Sequence, residues 1–147
     1  MTDRFLTCLA ATLREETGYV QPVGGPYRRR EDGSTEPPDR PDGRAFDDDP
    51  DDTGGRTGMG ILQREYDAWR RARGYATADV WHISDEELTA IYWEQFWSPA
   101  RCDDLPAGLD LAVFDMAVNC GPGRAIKALQ RALSVTIDGH IGVRTLD

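Results

Sequence analysis

Lysine is almost missing from this 147-residue chain: of its 17 cationic side chains, only Lys127 is not an arginine. Against them stand 26 Asp and Glu, for a formal net charge of −9. That balance argues against a nucleic-acid partner, because such binding rests on neutralising phosphates. It also argues against tight unspecific adhesion to anionic lipid or wall polymers. Cysteine is scarce, and Cys8, Cys102 and Cys120 are an odd, widely spaced set that forms no disulfide framework. With only His82 and His140 to help, they lack metal-ligand spacing and read as core or incidental thiols. No apolar run approaches a membrane span, so no membrane insertion is expected. The N-terminus, Met-Thr-Asp-Arg-Phe-Leu, lacks the basic stretch, apolar core and cleavage site of a secretory signal. A target outside the cytoplasm would then require some other delivery.

What is present suits one globular domain spanning 1–147, with 39% hydrophobic and 29% charged residues. Asp3 to Glu16 reads as a helix, with Phe5, Leu6, Leu9 and Leu13 as an apolar stripe. At about 100° per residue, Glu16 falls roughly 20° from Phe5, while Glu15 falls roughly 80° to the other side. A carboxyl facing a core edge is desolvated, which raises its pKa towards what a general acid needs. The other reading of Glu16 is a solvated residue at a fraying helix end.

Residues 21 to 46 are rich in Pro, Gly and charge, and read as a flexible surface insertion; Arg28 to Arg30 are a solvated cluster or an anion contact. Four glycines in residues 54 to 60 predict tight turns or a short hairpin. A helix from about Leu62 to Arg73 turns Tyr66 and Trp69 inward, with Arg70 as a further candidate and Gly74 as its stop. Ser84-Asp-Glu-Glu87 is a capping box opening a helix that Ser98-Pro99 ends. Its inner face takes Leu88, Ile91, Tyr92 and Gln95 or Phe96, with Trp93 and Trp97 beside it. Ala107 to Cys120 packs Leu109, Val113, Met116 and Ala117, and Gly121-Pro-Gly123 breaks the chain. Arg124 to Leu133 buries Ile126, Leu129 and Leu133; Asp138-Gly139 turns; Thr145 caps a further short helix. The class is mainly α, with a short β-hairpin or looped lobe near residues 47–61.

The order of motifs carries a resemblance. A helix ends in Glu16-Thr-Gly-Tyr19, and Asp49-Pro-Asp-Asp-Thr-Gly-Gly-Arg-Thr57-Gly-Met-Gly-Ile61 follows. Then come Ile91-Tyr-Trp-Glu-Gln-Phe-Trp97, Ala117-Val-Asn-Cys-Gly121, Leu129-Gln130 and Asp138-Gly-His-Ile-Gly142. Together these resemble glycoside hydrolase family 108, muramidases with a lysozyme-like helical fold found in phages and prophages. Three departures stand out: Thr17 replaces the first glycine of the family's Glu-Gly-Gly-Tyr, residues 21–46 are inserted, and the chain stops where a final helix is expected to continue.

The resemblance implies hydrolysis of the β-1,4 bond between N-acetylmuramic acid and N-acetylglucosamine in peptidoglycan, with Glu16 as general acid and no cofactor. That chemistry also needs a nucleophile or oriented water on the opposite face of the sugar. Asp51, Asp52 and Thr57 are the candidates, Asp52 and Thr57 the favoured ones. The Asp run is otherwise a solvated acidic turn; it fails as a calcium loop, because Gly60 stands where the bidentate Glu belongs. Tyr19, Tyr92, Trp97 and Asn119 are the expected substrate-binding residues. Helix aromatics are otherwise core, and Asn119 either holds an N-acetyl group or caps its helix. Residues 122–147 resemble part of a peptidoglycan-binding segment. The expected partner is the glycan strand, met by a monomer after release by a holin, a tail machine or a secretion system. The competing reading is a non-catalytic wall-binding or secretion-accessory protein on the same scaffold.

Overall fold

A computed structural model describes residues 1–17, 28–29, 35–36, 46–47 and 55–146, with side chains for 1–15, 55–143, 145 and 146. Within these residues the chain is mainly helical. The helices are α1 (Asp3–Thr17), α2 (Gln63–Ala72), α3 (Asp85–Tyr92), α4 (Leu109–Cys120), α5 (Pro122–Ala132) and α6 (Val143–Leu146). The strands are β1 (Arg28–Arg29), β2 (Thr35–Glu36), β3 (Phe46–Asp47), β4 (Thr57–Gly58) and β5 (Ile61–Leu62). β1 pairs with β2 alone, so the 21–46 segment carries an antiparallel ribbon; its expected flexibility lies outside the described residues. β3, β4 and β5 form one antiparallel sheet in that order, the hairpin lobe expected near 47–61. No described helix is long and apolar enough to cross a membrane. The chain divides into two compact units, one of residues 1–12 and 89–147, the other of residues 13–88.

The first unit is built on an aromatic cluster. Phe5 is fully buried and makes edge contacts with Trp93, Trp97 and Phe114, at centroid distances of 5.0, 5.3 and 5.9 Å. The buried stripe of α1 in this unit is Phe5, Cys8, Leu9 and Thr12, and Leu13 continues it. Leu6, expected in that stripe, is 47% exposed. It lies a full 100° from Phe5, at the stripe's edge, whereas i+3 and i+4 steps from Phe5 lead to Cys8 and Leu9.

α3 passes directly into a π-helical turn, Trp93–Trp97, closed by the Ser98 N–H on the Trp93 carbonyl at 2.8 Å. The i→i+5 closure advances each residue by less than 100°. Trp97 is thereby swung into the core, where it stacks on Trp93 and meets Phe114 edge-on.

On α4, Val113, Phe114 and Ala117 are buried, while Met116, expected inward, is 40% exposed. Phe114 takes the core place, against the rings of Phe5, Tyr92 and Trp97. Leu133, also expected to be buried, follows the end of α5 and is 45% exposed. Thr145 lies inside α6 instead of capping it, and its N–H bonds the Gly142 carbonyl at 2.9 Å.

Gly121 joins α4 to α5 at φ 88°, ψ 149°, a conformation essentially reserved for glycine. Its N–H closes α4 on the Ala117 carbonyl, and its own carbonyl accepts the first N–H groups of α5 from Arg124 and Ala125. Pro122 follows at the first helical position, where its missing N–H costs nothing. An added Cβ at Gly121 would meet no atom within 4 Å, so a substitution there is purely a conformational strain. Gly121→Ala is expected to cost about 1–3 kcal/mol in urea unfolding.

Arg4 ties α1 to the start of α4. Its guanidinium donates to the Asp110 carboxylate, at 2.9 Å from Nε, and to the Leu105 carbonyl. Asp110 is 2% exposed, and its other oxygen accepts the N–H groups of Gly108 and Leu111. Burial alone would raise this carboxyl's pKa; Arg4 and the two backbone donors outweigh it and hold it below the usual value of 3.8. A depressed pKa stabilises the fold above the unfolded value and loses that contribution as pH falls through the folded one. Asp110→Asn should therefore cost about 1.5–3 kcal/mol at pH 7. The gap from wild type should close as unfolding is repeated below pH 3.8. Cys8 and Cys102 are buried free thiols of this unit, the latter pushed up to about 12 chiefly by burial. Both behave as core residues.

The second unit centres on Tyr66, Ile83, Met59, Val80 and Ile61, all nearly inaccessible. The capping box forms as expected: Glu87 N–H bonds Ser84 Oγ at 3.1 Å and Ser84 N–H bonds Glu87 Oε2 at 3.2 Å. The same carboxylate accepts the Tyr66 hydroxyl at 2.6 Å and pairs with Arg70. One glutamate thus caps α3 and fastens α2. Burial first, and Glu87 next, push the Tyr66 hydroxyl above its ordinary pKa.

Candidate active site

The sheet of residues 46–62 is short because its residues demand sharp turning. β4 and β5 pair Thr57 with Leu62 and Gly58 with Ile61, leaving a two-residue turn at Met59-Gly60. Both turn residues have positive φ, 51° and 79°, the backbone of a primed hairpin turn. Gly60 adopts it without cost, whereas Met59 is held there because its side chain is 1% exposed in the core. Thr57 sits half-buried on β4, opposite Asp47 of β3 by backbone register.

Arg56, immediately before Thr57, donates to Asp79 at 2.7 Å and lies over the Trp81 ring, 4.4 Å from its centroid. Gln63 then fixes the chain after α2, donating to the Ala78 carbonyl at 2.8 Å and accepting the Val80 N–H at 2.8 Å. Between them is an open cavity of about 370 Å³, lined by Arg56, Gln63, Asp67, Thr77 and Asp79. The strand that carries Thr57 is thus braced on its neighbouring residue by a charge pair, a cation over an indole, and a backbone tether.

Glu16 lies in the last turn of α1, whose backbone remains helical to Thr17. Its side chain, with those of Tyr19 and Asp52, lies outside the described residues. The helix around it follows the stripe on which Glu16 was placed: Leu9, Thr12 and Leu13 are buried, and Glu15 is exposed. Thr12, one turn before Glu16 on the same face, is 1% exposed and donates to Asp115 Oδ1 at 3.2 Å. Sequence reading passed over both Thr12 and Asp115. A threonine on an apolar stripe, four residues before a glutamate, was the available signal.

The aromatic helix is corrected by the structure. Tyr92 and Trp97, expected to offer stacking faces to a sugar, are 2% and 0% exposed. Both rings are committed to the core, Tyr92 against Phe96 and Phe114, Trp97 against Phe5, Trp93 and Phe114. Trp93 and Phe96 are the half-buried members of the set. Asn119 is exposed near the end of α4, and its amide donates to the Asp115 carbonyl at 3.1 Å. Glu16 and Thr57 belong to the unit of residues 13–88, and Tyr92, Trp97 and Asn119 to the other.

Comparison with known proteins gives the family of the chain. Among curated proteins none matches the chain at a significant level. Among solved structures, SagA of Brucella abortus is 32% identical with a TM-score of 0.63. The alignment covers 97% of this chain and 66% of that one, so the chain spans somewhat less than two thirds of SagA's length. The family described as Glycosyl hydrolase 108 matches residues 41–121, over half the chain, including the hairpin lobe and the motif ending at Gly121. The chain belongs to glycosyl hydrolase family 108 and is mainly helical, as a lysozyme-like fold requires.

Proposed function

We propose that this glycoside hydrolase is an N-acetylmuramidase that cuts the β-1,4 bond following N-acetylmuramic acid in peptidoglycan. Glu16 is its general acid. Asp52 and Thr57 hold the water or stabilise the charge on the opposite face of the ring. The observation that carries this reading is the family match together with a glutamate in the last turn of a helix whose neighbouring stripe positions are buried. A carboxyl that faces a core edge is desolvated, and desolvation favours the protonated form that a general acid needs. A half-buried threonine on a braced two-residue strand suits a water that must not wander.

The substrate is the glycan strand, approached by a monomer. Its net charge of −9 disfavours unspecific retention on an anionic wall, so turnover should not be limited by release. Release into the wall compartment is by a holin, tail or secretion route.

The test of the bond is digestion of purified peptidoglycan followed by mass spectrometry. Fragments ending in reducing N-acetylmuramic acid are expected; fragments ending in reducing N-acetylglucosamine would overturn the specificity.

A further inference from the structure

β4 and β5 have two residues each, and strands this short hold their place weakly by pairing alone. Their ladder runs one step further, because the Gln63 N–H bonds the Arg56 carbonyl at 2.9 Å. Successive residues along a strand point to opposite faces, so Arg56 and Thr57 leave the chain on opposite sides. Arg56 shares its face with Gln63, its cross-strand partner, and with Ile61, which is 3% exposed. Thr57 shares the other face with Leu62, and both are half-buried. Fixing the Arg56 side chain therefore also fixes the direction in which Thr57 points.

One carboxylate does the fixing. Asp79 Oδ2 accepts the Arg56 guanidinium at 2.7 Å, and Asp79 Oδ1 accepts the Trp81 N–H at 3.0 Å. The bond to Trp81 caps a single 3-10 turn, Val80–His82. That turn carries the indole over which Arg56 lies, 4.4 Å from the ring centroid. Val80 and Ile83 are 0% and 1% exposed, so the turn is anchored in the core of its unit. Asp79 thus places both partners of Arg56, the charge and the ring. The Arg56 and Asp79 side chains are 34% and 36% exposed, and an ion pair so open to water adds little to global stability. Its consequence is local, in where the strand stands.

From this geometry we infer that Asp79 is a positioning residue for catalysis. Through Arg56 and Trp81 it sets the place from which Thr57 presents its hydroxyl to the attacking water. Asp79 itself touches no substrate. The inference rests on the role proposed for Thr57 and extends it to a residue 22 positions along the chain. A group that orients a reacting water must be held closely, since a misplacement of about 1 Å can cost a hundredfold in rate.

The test is a double-mutant cycle on kcat, read by reducing-end release from soluble glycan fragments of peptidoglycan. Asp79→Asn keeps an oxygen for the Trp81 N–H and turns an amide nitrogen towards Arg56, so it breaks the ion pair and spares the cap. It should melt within about a degree or two of wild type. Its kcat should fall about tenfold to a hundredfold with KM unchanged. Thr57→Val keeps the β-branched shape and removes the hydroxyl. In that background Asp79→Asn should cost nothing further, because both changes withdraw the same group. Should Asp79→Asn melt lower, Arg56→Met, which leaves the cap untouched, takes its place in the cycle with the same expectation. A loss in Thr57→Val to which the second substitution adds its full factor would overturn the inference and leave the proposed function standing. A wild-type kcat in the Asp79→Asn or Arg56→Met protein, or a loss confined to KM, would do the same. Thr57→Val cutting at the wild-type rate would instead remove the role of Thr57, and the inference with it.

Discussion

Phe5→Ala is expected to destabilise the protein by about 3–5 kcal/mol, the cost of deleting a fully buried aromatic side chain. Phe5 is 0% exposed and is the hub of the first unit's aromatic cluster, with Trp93, Trp97 and Phe114 all set edge-on around it. Edge-to-face pairs add to what burial alone contributes. Neighbours held by a π-helical turn and by α4 cannot collapse far into the vacancy, which places the cost towards the upper end. Total stabilities of natural domains are about 5–15 kcal/mol, so one residue removes a large share. For a chain of this size the loss is a fall of roughly 10–15 °C in Tm. Leu6→Ala, one residue on, is the control: Leu6 is 47% exposed, and its variant should melt within a degree or two of wild type. A thermal melt of both variants checks the pair, and similar losses in the two would contradict this packing.

Leu6 also shows where sequence stops being informative. Periodicity defined α1 to within one residue of its observed end, yet it could not rank positions at the margin of the stripe. Leu6 is the more hydrophobic residue, yet Cys8 and Thr12 are the buried ones. Met116 and Leu133 failed the same way, with Phe114 filling the core in place of Met116. Features with local chemistry fared better. The Ser84–Glu87 box, the break at Gly121 and the hairpin near Gly58–Gly60 all depend on neighbouring residues alone, and all are present. The π-helical turn had no signature to read, and it decides the fate of Trp97. In an unbroken α-helix Trp97 would have stood beside the inner face, open to a ligand; one slowed turn makes it core. The family could be recognised because its motifs mark turns and caps. The stacking residues could not, because whether an aromatic faces solvent is settled by helix phase.

Glu16→Gln is expected to lower turnover of peptidoglycan by about 10²–10⁴-fold while leaving the fold intact. The amide is nearly isosteric with the acid, so nothing need shift in the last turn of α1, and it has no proton to give. A sugar alkoxide is a poor leaving group, and without the acid it must depart uncompensated, so the loss should fall on kcat and leave KM little changed. A melting temperature within a degree or two of wild type is part of the expectation. A neighbouring substitution, Glu15→Gln, should do little, because Glu15 is exposed. The most direct measurement is therefore reducing-end release from purified peptidoglycan by wild type, Glu16→Gln and Glu15→Gln side by side, each checked for folding by its melt. Activity in wild type and Glu15→Gln, with a hundredfold or greater loss confined to Glu16→Gln, is the predicted result. A folded Glu16→Gln protein that cuts peptidoglycan at the wild-type rate would contradict the assignment of the acid.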